Sequence, residues 1–221
     1  MAILLHIDTA VETASVCLSK GAEPVKLAVN NNQKDHAAWL HHAIRDLFQD
    51  TGITIKDVNA IGVSIGPGSY TGLRVGLSAA KGLCYALGIP LVTIVTLEII
   101  ANAVKSKDAD IICPLIDARR MEVFTALYDI SMTEIKKPCA MIINEGSFSE
   151  LLASNRVIFC GNGSKKLKTI LPGRENALYS NDEATAANMC QIGYQSFMEK
   201  RFSGLAYTEP LYIKEFYSQF R

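Results

Sequence analysis

The sequence predicts an α/β protein in which one order of strands and helices is used twice. Residues 3–9 and 111–116 are apolar runs that end at or beside an acid, Asp8 and Asp117, and each leads into a short-looped meander and a helix. Each half continues with a strand, a glycine-containing turn and another helix. We therefore predict two lobes of the type βββαβα(βα) with mixed sheets; a coincidence between two α/β segments is the alternative.

Hydrophobic periodicity places the individual elements. Segments rich in β-branched residues and bounded by turn residues are assigned as strands, and segments with apolar residues at i, i+3 and i+4 as helices. The predicted strands are 3–9, 14–19, 24–29, 60–65, 91–95, 111–116, 123–128, 137–143 and 157–160. The predicted helices are 36–50, 69–87, 97–104, 146–153, 164–171 and 184–201.

The charged segment Lys105-Ser106-Lys107-Asp108 is the best boundary between the lobes. It divides the chain into an N-terminal lobe, 1–104, and a degenerate C-terminal lobe, 105–206. We expect residues 207–221 to pack back on the N-terminal lobe.

Composition favours a globular protein of the cytoplasm. Hydrophobic residues make up 49% of the 221 residues, enough to bury a core. Lys+Arg and Asp+Glu are equal at 22 each, which argues against a protein that grips nucleic acid alone through bulk charge. The six cysteines form no C-x-x-C pair and are expected to be reduced thiols. Pro90, Glu98 and Asn102 interrupt the most apolar window, so we expect no membrane association.

The turn Gly66-Pro67-Gly68-Ser69 joins the strand at 60–65 to the longest helix. Glycines around a proline favour a sharp turn, and Ser69 is a suitable N-cap. A P-loop requires lysine where the chain has Gly72-Leu73-Arg74, and a dinucleotide loop requires glycine where it has Thr71. The helix start would still accept an anion. A turn required by packing is the favoured interpretation.

The sequence contains candidate residues for three other kinds of site. Gly62-Val63-Ser64-Ile65-Gly66 matches a hydrolase elbow, but Ser64 precedes the turn and all four histidines lie upstream of it, contrary to that order. His36, His41 and His42 share a helix without the i, i+4 spacing of a metal pair, so no metal is expected.

The two strand-end acids would suit a metal–phosphate site, with Asp8 and Asp117 facing each other across a cleft. The hairpins that follow them lack the glycine and hydroxyls that bind phosphates in duplicated ATPase folds, and only Thr9 fits. This predicts a vestigial nucleotide site. Gly161 and Gly163 would either line its adenosine pocket or simply turn the chain.

The helix at 69–87 carries a second stripe of small apolar residues besides its sheet-facing stripe. Glycine inside a helix costs about 1 kcal/mol relative to alanine, so close approach of another helix is the natural compensation. A partner is favoured over a helix sandwiched inside one domain, and Gly76→Glu is expected to block the partner without disturbing the fold. The predicted interface residues are His36, Trp39, Ala43, Gly72, Val75, Gly76, Ala79, Gly82 and Ala86.

Several segments together resemble the TsaB (YeaZ) family, bacterial subunits of tRNA threonylcarbamoyladenosine biosynthesis. The resemblance spans essentially the whole chain, is most specific at 66–77, and implies a duplicated actin-like, RNase H-like fold of the ASKHA class. The segments that carry it are Ile7-Asp8-Thr9, the run 66–77, Asp117-Ala118-Arg119 before Glu122-Val123-Phe124, Gly161-Asn162-Gly163 and Pro210-Leu211-Tyr212-Ile213-Lys214.

The resemblance implies a non-catalytic scaffold and activator. In the family, the paralogue TsaD transfers a threonylcarbamoyl group from threonylcarbamoyl-adenylate to the adenosine beside the tRNA anticodon, and the ATPase TsaE joins the pair. TsaD holds a metal through an H-x-x-x-H motif after the strand corresponding to 91–95. This chain has Thr96-Leu97-Glu98-Ile99-Ile100-Ala101 there, so no metal site is expected.

The resemblance also implies the partners. The helices at 36–50 and 69–87 would form a heterodimer with TsaD, or a homodimer when the chain is alone, and tRNA would be contacted only within the complex. No cofactor is expected, except a nucleotide held weakly or shared at an interface. A small ATPase or phosphotransferase of the same superfamily is the alternative.

Overall fold

The computed structural model describes residues 1–32, 35–104 and 108–214, and the chain divides into two compact units. The first unit contains Met1–Ala103 and Ala184–Pro210. The second contains Val104–Glu183 and the described residues after Pro210. None of the helices in the described parts of the chain has both the length and the apolar character needed to cross a membrane.

The first unit is built on a mixed five-stranded sheet of order β3-β2-β1-β4-β5. The antiparallel meander β1–β3 comes first, and β4 and β5 then add in parallel beside β1. The strands are β1 (Ile3–Asp8), β2 (Ala14–Lys20), β3 (Glu23–Asn30), β4 (Val58–Ser64) and β5 (Leu91–Ile94). The helices of this stretch are α1 (His36–Thr51), α2 (Tyr70–Leu87) and α3 (Thr96–Asn102).

The second unit repeats this sheet. Its order, β10-β9-β6-β7-β8, places each strand where its counterpart lies in the first sheet, with the aspartate-ending strand in the centre. The strands are β6 (Ile111–Asp117), β7 (Glu122–Asp129), β8 (Glu134–Ile142), β9 (Val157–Cys160) and β10 (Ala177–Tyr179). The helices are α4 (Ser149–Ser154) and α5 (Ser164–Ile170). The predicted duplicated α/β architecture with mixed sheets is therefore confirmed.

The first sheet buries both faces because alternate side chains on a strand point to opposite sides. Leu5 and Ile7 of β1 lie in the cluster that contains the buried faces of α1 and α2. Leu4 lies in the opposite cluster, which contains Met189 and Cys190. These last two residues belong to a 3-10 turn, Ala186–Met189, and to the final helix, α6 (Cys190–Met198).

The position of α6 corrects the predicted lobes. Residues 184–206, assigned to the C-terminal lobe, belong to the first unit, because α6 and the preceding turn cover the second face of its sheet. Within the segment predicted to pack back on the N-terminal lobe, residues 207–210 lie in the first unit. Lys214 belongs to the second unit, where it forms an ion pair of 2.5 Å with Glu122. Residues 215–221 and the predicted linker at 105–107 lie outside the described residues.

Candidate functional site

Two hydrogen bonds join the start of α2 to the loop that follows β1. The Ser69 amide donates a hydrogen bond of 2.6 Å to the carbonyl of Ala10. The Thr9 hydroxyl donates one of 2.7 Å to the carbonyl of Gly72. Ser69 is also the N-cap of α2, as predicted, and its side chain accepts from the Gly72 amide. The Thr9–Ala10 backbone therefore lies directly against the first turn of α2.

This close approach explains why three positions facing Thr9 and Ala10 are occupied by glycine. A Cβ at Gly68 would lie 2.2 Å from the Ala10 carbonyl oxygen, and one at Gly72 only 2.0 Å from the Thr9 carbonyl oxygen. At Gly76 it would lie 2.3 Å from the Thr9 hydroxyl. These distances are far inside van der Waals contact, so only glycine fits. The favoured interpretation, a turn required by packing, agrees with these contacts.

The same contacts correct part of the predicted interface. Gly72 and Gly76 are buried inside the first unit, so they serve the approach of Thr9 rather than an outer helix. The expectation that Gly76→Glu leaves the fold intact is wrong, because no side chain fits there. On α1, Ala43 is 5% exposed in the core. His36 is also buried, and its ring nitrogen lies 3.2 Å from the Glu12 carbonyl oxygen.

The other predicted interface residues reach the surface, and we call them the outer helix surface: Trp39, Val75, Ala79, Gly82 and Ala86. Trp39, Val75 and Ala79 are half-buried at the edge of the first core. Gly82 and Ala86 are exposed, and a Cβ at Gly82 would meet no described atom within 4 Å. That this surface contacts a partner stays a prediction.

Asp8 is buried at the end of β1. It is 1% exposed, and its Oδ1 accepts a hydrogen bond of 3.1 Å from the Ala10 amide. Burial raises the pKa of Asp8, although Ser64, the Ala10 amide and the charge of His36 oppose that shift. Because burial disfavours the ionised carboxylate, Asp8 is a weaker metal or phosphate–metal ligand than an exposed aspartate.

We predict that Asp8→Asn will remove the loss of folding stability that ionisation of the buried Asp8 causes as the pH rises. A raised pKa means that the folded chain binds the proton more tightly, so stability is greatest below the ordinary pKa of aspartate and falls as pH rises through the folded-state pKa. Urea unfolding of both proteins between about pH 4 and pH 8 checks this. The variant should be more stable than the wild type, and the difference in their free energies of unfolding should grow as the pH rises towards 8. A difference that stays constant or becomes smaller as the pH rises would contradict the prediction.

Asp117 has a different environment at the end of β6. Its Oδ1 accepts hydrogen bonds from Lys166 at 2.6 Å and from the Arg119 amide at 2.7 Å. Burial alone would raise the pKa of Asp117, but Lys166 and the Arg119 amide outweigh it and the pKa is lowered. Asp117 is thus an ionised carboxylate already paired with a cation. No local pattern distinguishes Lys166 as its partner from the other two lysines on α5.

Gly161 and Gly163 carry the chain from β9 to α5. Gly161 has a φ of 80°, and its carbonyl accepts a hydrogen bond of 2.7 Å from the Ser164 hydroxyl. A Cβ at Gly163 would lie 3.0 Å from the backbone of Leu115. Both glycines are used in turning the chain; the adenosine pocket stays a prediction. No three His, Cys, Asp or Glu side chains converge as a metal site within the ranges 1–32, 35–104 and 108–214.

Two sheets of the same strand order, each with an aspartate ending its central strand, define a duplicated ASKHA-type fold. A family model described as "TsaD: tRNA N6-adenosine threonylcarbamoyltransferase" matches residues 29–208. Within that group, the chain belongs to the TsaB (YeaZ) family of tRNA threonylcarbamoyladenosine biosynthesis proteins.

Relatives named "tRNA threonylcarbamoyladenosine biosynthesis protein TsaB" match to different extents. The Escherichia coli protein is 27% identical over 96% of this chain and 94% of its own length. The Buchnera aphidicola (Schizaphis graminum) protein is 30% identical over 80% of this chain and 83% of its own length. The match to the Bacillus subtilis protein, at 34% identity, spans 57% of this chain and only 54% of that protein.

A solved structure has the same fold. It is a Pseudomonas aeruginosa protein described as similar to peptidase YeaZ, with a TM-score of 0.86 and 24% sequence identity. The superposition covers 97% of this chain and 100% of that one.

Proposed function

We propose that this chain is a cytoplasmic, non-catalytic subunit in the formation of threonylcarbamoyladenosine on tRNA. It would pair with a TsaD-type catalytic subunit as scaffold and activator, and a TsaE-type ATPase would join the pair. The observation that carries the proposal is the match to the Escherichia coli TsaB protein, which extends over nearly the whole of both chains.

The state of the two strand-end acids supports a non-catalytic role. Asp8 is buried, which disfavours its ionised form, and Asp117 is already paired with Lys166. The Thr9 hydroxyl, which would serve a phosphate, donates to Gly72 instead. These contacts give less support to the alternative ATPase or phosphotransferase, so a tightly bound nucleotide is not part of the proposal.

The outer helix surface supports pairing through α1 and α2. It is apolar and includes small side chains and the half-buried Trp39, and the open space at Gly82 would allow a partner helix to approach closely. A TsaD-type subunit is the proposed occupant, and a second copy of this chain would use the same surface when that subunit is absent. Because the net charge is zero, tRNA contacts would be shared with the partners.

A reconstitution tests the proposal. We expect no threonylcarbamoyladenosine when this chain is incubated alone with unmodified tRNA and threonylcarbamoyl-adenylate. Adding TsaD-type and TsaE-type subunits with ATP should give product, and leaving out this chain should reduce it at least about tenfold, equivalent to about 1.4 kcal/mol in the activation barrier. The nucleoside is measured by mass spectrometry after tRNA digestion.

Two outcomes would contradict the proposal. One is product formed by a preparation of this chain that contains no TsaD-type subunit. The other is tight binding of ATP and magnesium with turnover by the isolated chain, measured by calorimetry and phosphate release, which would favour the ATPase alternative.

A further inference from the structure

The face of the first sheet that packs against α6 holds a cluster of polar and sulfur-containing side chains, His6, Cys17, Ser19 and Cys190. His6 and Cys17 are directly paired in the register of β1 and β2, so their side chains lie side by side on this face. The ring nitrogen Nε2 of His6 lies 3.0 Å from the Ser19 hydroxyl. The sulfur atoms of Cys17 and Cys190 are 3.7 Å apart.

The cluster is buried in the folded chain, so only a small oxidant, admitted by local opening between α6 and the sheet, can reach it. His6, Cys17 and Ser19 are fully buried and Cys190 is 1% exposed. Two glycines make room for the imidazole: a Cβ at Gly62 would lie 2.6 Å from His6 Nδ1, and one at Gly193 would lie 2.5 Å from its Cε1. Nδ1 has no hydrogen-bond partner among the described residues. Because an unsatisfied buried polar atom is destabilising, packing alone does not account for a histidine here.

We propose that Cys17 and Cys190 are an oxidisable dithiol, which hydrogen peroxide converts to a disulfide linking β2 to α6. All six cysteines are free thiols in the structure described, so this is the reduced form. The inference goes beyond the proposed function and does not depend on it.

The cluster favours Cys190 as the attacking sulfur. The hydrogen bond from Cys17 lowers the pKa of Cys190, and His6 and Ser19 lower it further against the effect of burial. The same contact raises the pKa of Cys17, and either sulfur can donate the hydrogen bond between them. In the resting protein the Cys190 thiol donates to the Ala186 carbonyl at 3.8 Å, and its lowered pKa makes it the sulfur that first loses its proton to solvent when a disulfide forms.

The reaction balances in two steps. The Cys190 thiolate attacks one oxygen of the peroxide, the O–O bond breaks, and a sulfenic acid and hydroxide form. The hydroxide takes the Cys17 proton, and the Cys17 sulfur attacks Cys190 and expels the sulfenic oxygen, which leaves as hydroxide and takes up a proton from solvent. Two sulfurs are oxidised, the peroxide is reduced to water, and the S···S distance shortens from 3.7 Å to about 2.05 Å.

The bond would fix the C-terminal segment of the first unit. Cys190 begins α6, which reaches the sheet from the far end of the sequence, so the disulfide would add a covalent bond to the packing and to the hydrogen bond of 2.8 Å from the Ala186 amide to the Ser15 hydroxyl of β2. Because it closes a very long loop, it would restrict the unfolded chain strongly.

Peptide mapping of the full chain tests the proposal. The folded protein is treated with hydrogen peroxide, the reaction is stopped with catalase, and the remaining thiols are blocked in denaturant without reductant before digestion. We expect a cross-linked pair containing Cys17 and Cys190, lighter than the two thiol peptides by two hydrogen atoms. The thermal midpoint should rise by about 5 °C or more and return on reduction.

Cys84 provides the matched control. It is also buried in the first unit, but burial raises its pKa to about 11, so it should stay a thiol. Cys84→Ser should keep the cross-link and Cys17→Ser should lose it. The proposal is overturned if the folded wild type forms no Cys17–Cys190 link, or if Cys84 enters disulfides equally. The wild-type map decides even if Cys17→Ser does not fold.

Discussion

Gly72→Ala is expected to destabilise the first unit by about 3 kcal/mol, because it forces overlap with backbone atoms. The new methyl group would lie 2.0 Å from the Thr9 carbonyl oxygen. Relief requires separating the β1–β2 loop from α2. That would break the hydrogen bond from Ser69 to Ala10 and the one from Thr9 to Gly72. Thermal and urea unfolding followed by circular dichroism measure the loss.

Gly82→Ala is the matched control, since it makes the same change in the same helix with the opposite expected sign. A Cβ there meets no described atom within 4 Å, so the variant gains helix propensity without overlap. It should stabilise the protein by up to about 1 kcal/mol. If Gly72→Ala unfolds at the wild-type midpoint, the close packing of Thr9 on α2 is refuted.

Gly82→Arg is expected to weaken association with a TsaD-type subunit at least about 100-fold, or about 2.7 kcal/mol, without loss of stability. The position is exposed and open, so an arginine fits the free chain. It would place a long cationic side chain where we propose that a partner helix packs. Titration calorimetry with the purified subunit gives the affinity, and the same unfolding experiments show that the variant is folded.

Two controls make this test specific. Gly82→Ala keeps the outer helix surface small and should bind like the wild type. Ser131→Arg adds the same cation at an exposed position between β7 and β8, in the second unit, and should also bind normally. Unchanged affinity of Gly82→Arg would exclude the outer helix surface as the contact.

Periodicity in the sequence was sufficient to predict most elements of the fold. The helices at 36–50 and 69–87 are observed as His36–Thr51 and Tyr70–Leu87, because long amphipathic stripes are unambiguous. The strand Ala177–Tyr179 was missed, since three residues are too few to show alternation. The last helix was predicted too long, because the 3-10 turn at Ala186–Met189 has similar spacing.

The candidate site was predicted less well, because burial depends on contacts distant in sequence. Gly72 and Gly76 are held inward by Thr9, and His36 by Glu12, over separations that local patterns do not report. One pattern in the sequence does indicate that the two glycines are buried. They lie at four-residue intervals with Ala80 and Cys84, so all four residues share one helix face, and Ala80 and Cys84 are core residues. No local pattern connects Cys17 with Cys190, which are 173 residues apart.

The late position of α6 in the sequence sets an order of events on the ribosome. Strands β1 to β5 are synthesised by residue 94, but the apolar face around Leu4 and Val92 stays uncovered until Ala186–Met198 emerges. All five strands of the second sheet, in contrast, are complete at Tyr179. A nascent chain therefore finishes its second sheet before its first unit can close, and the N-terminal sheet is the part that needs protection from aggregation during synthesis.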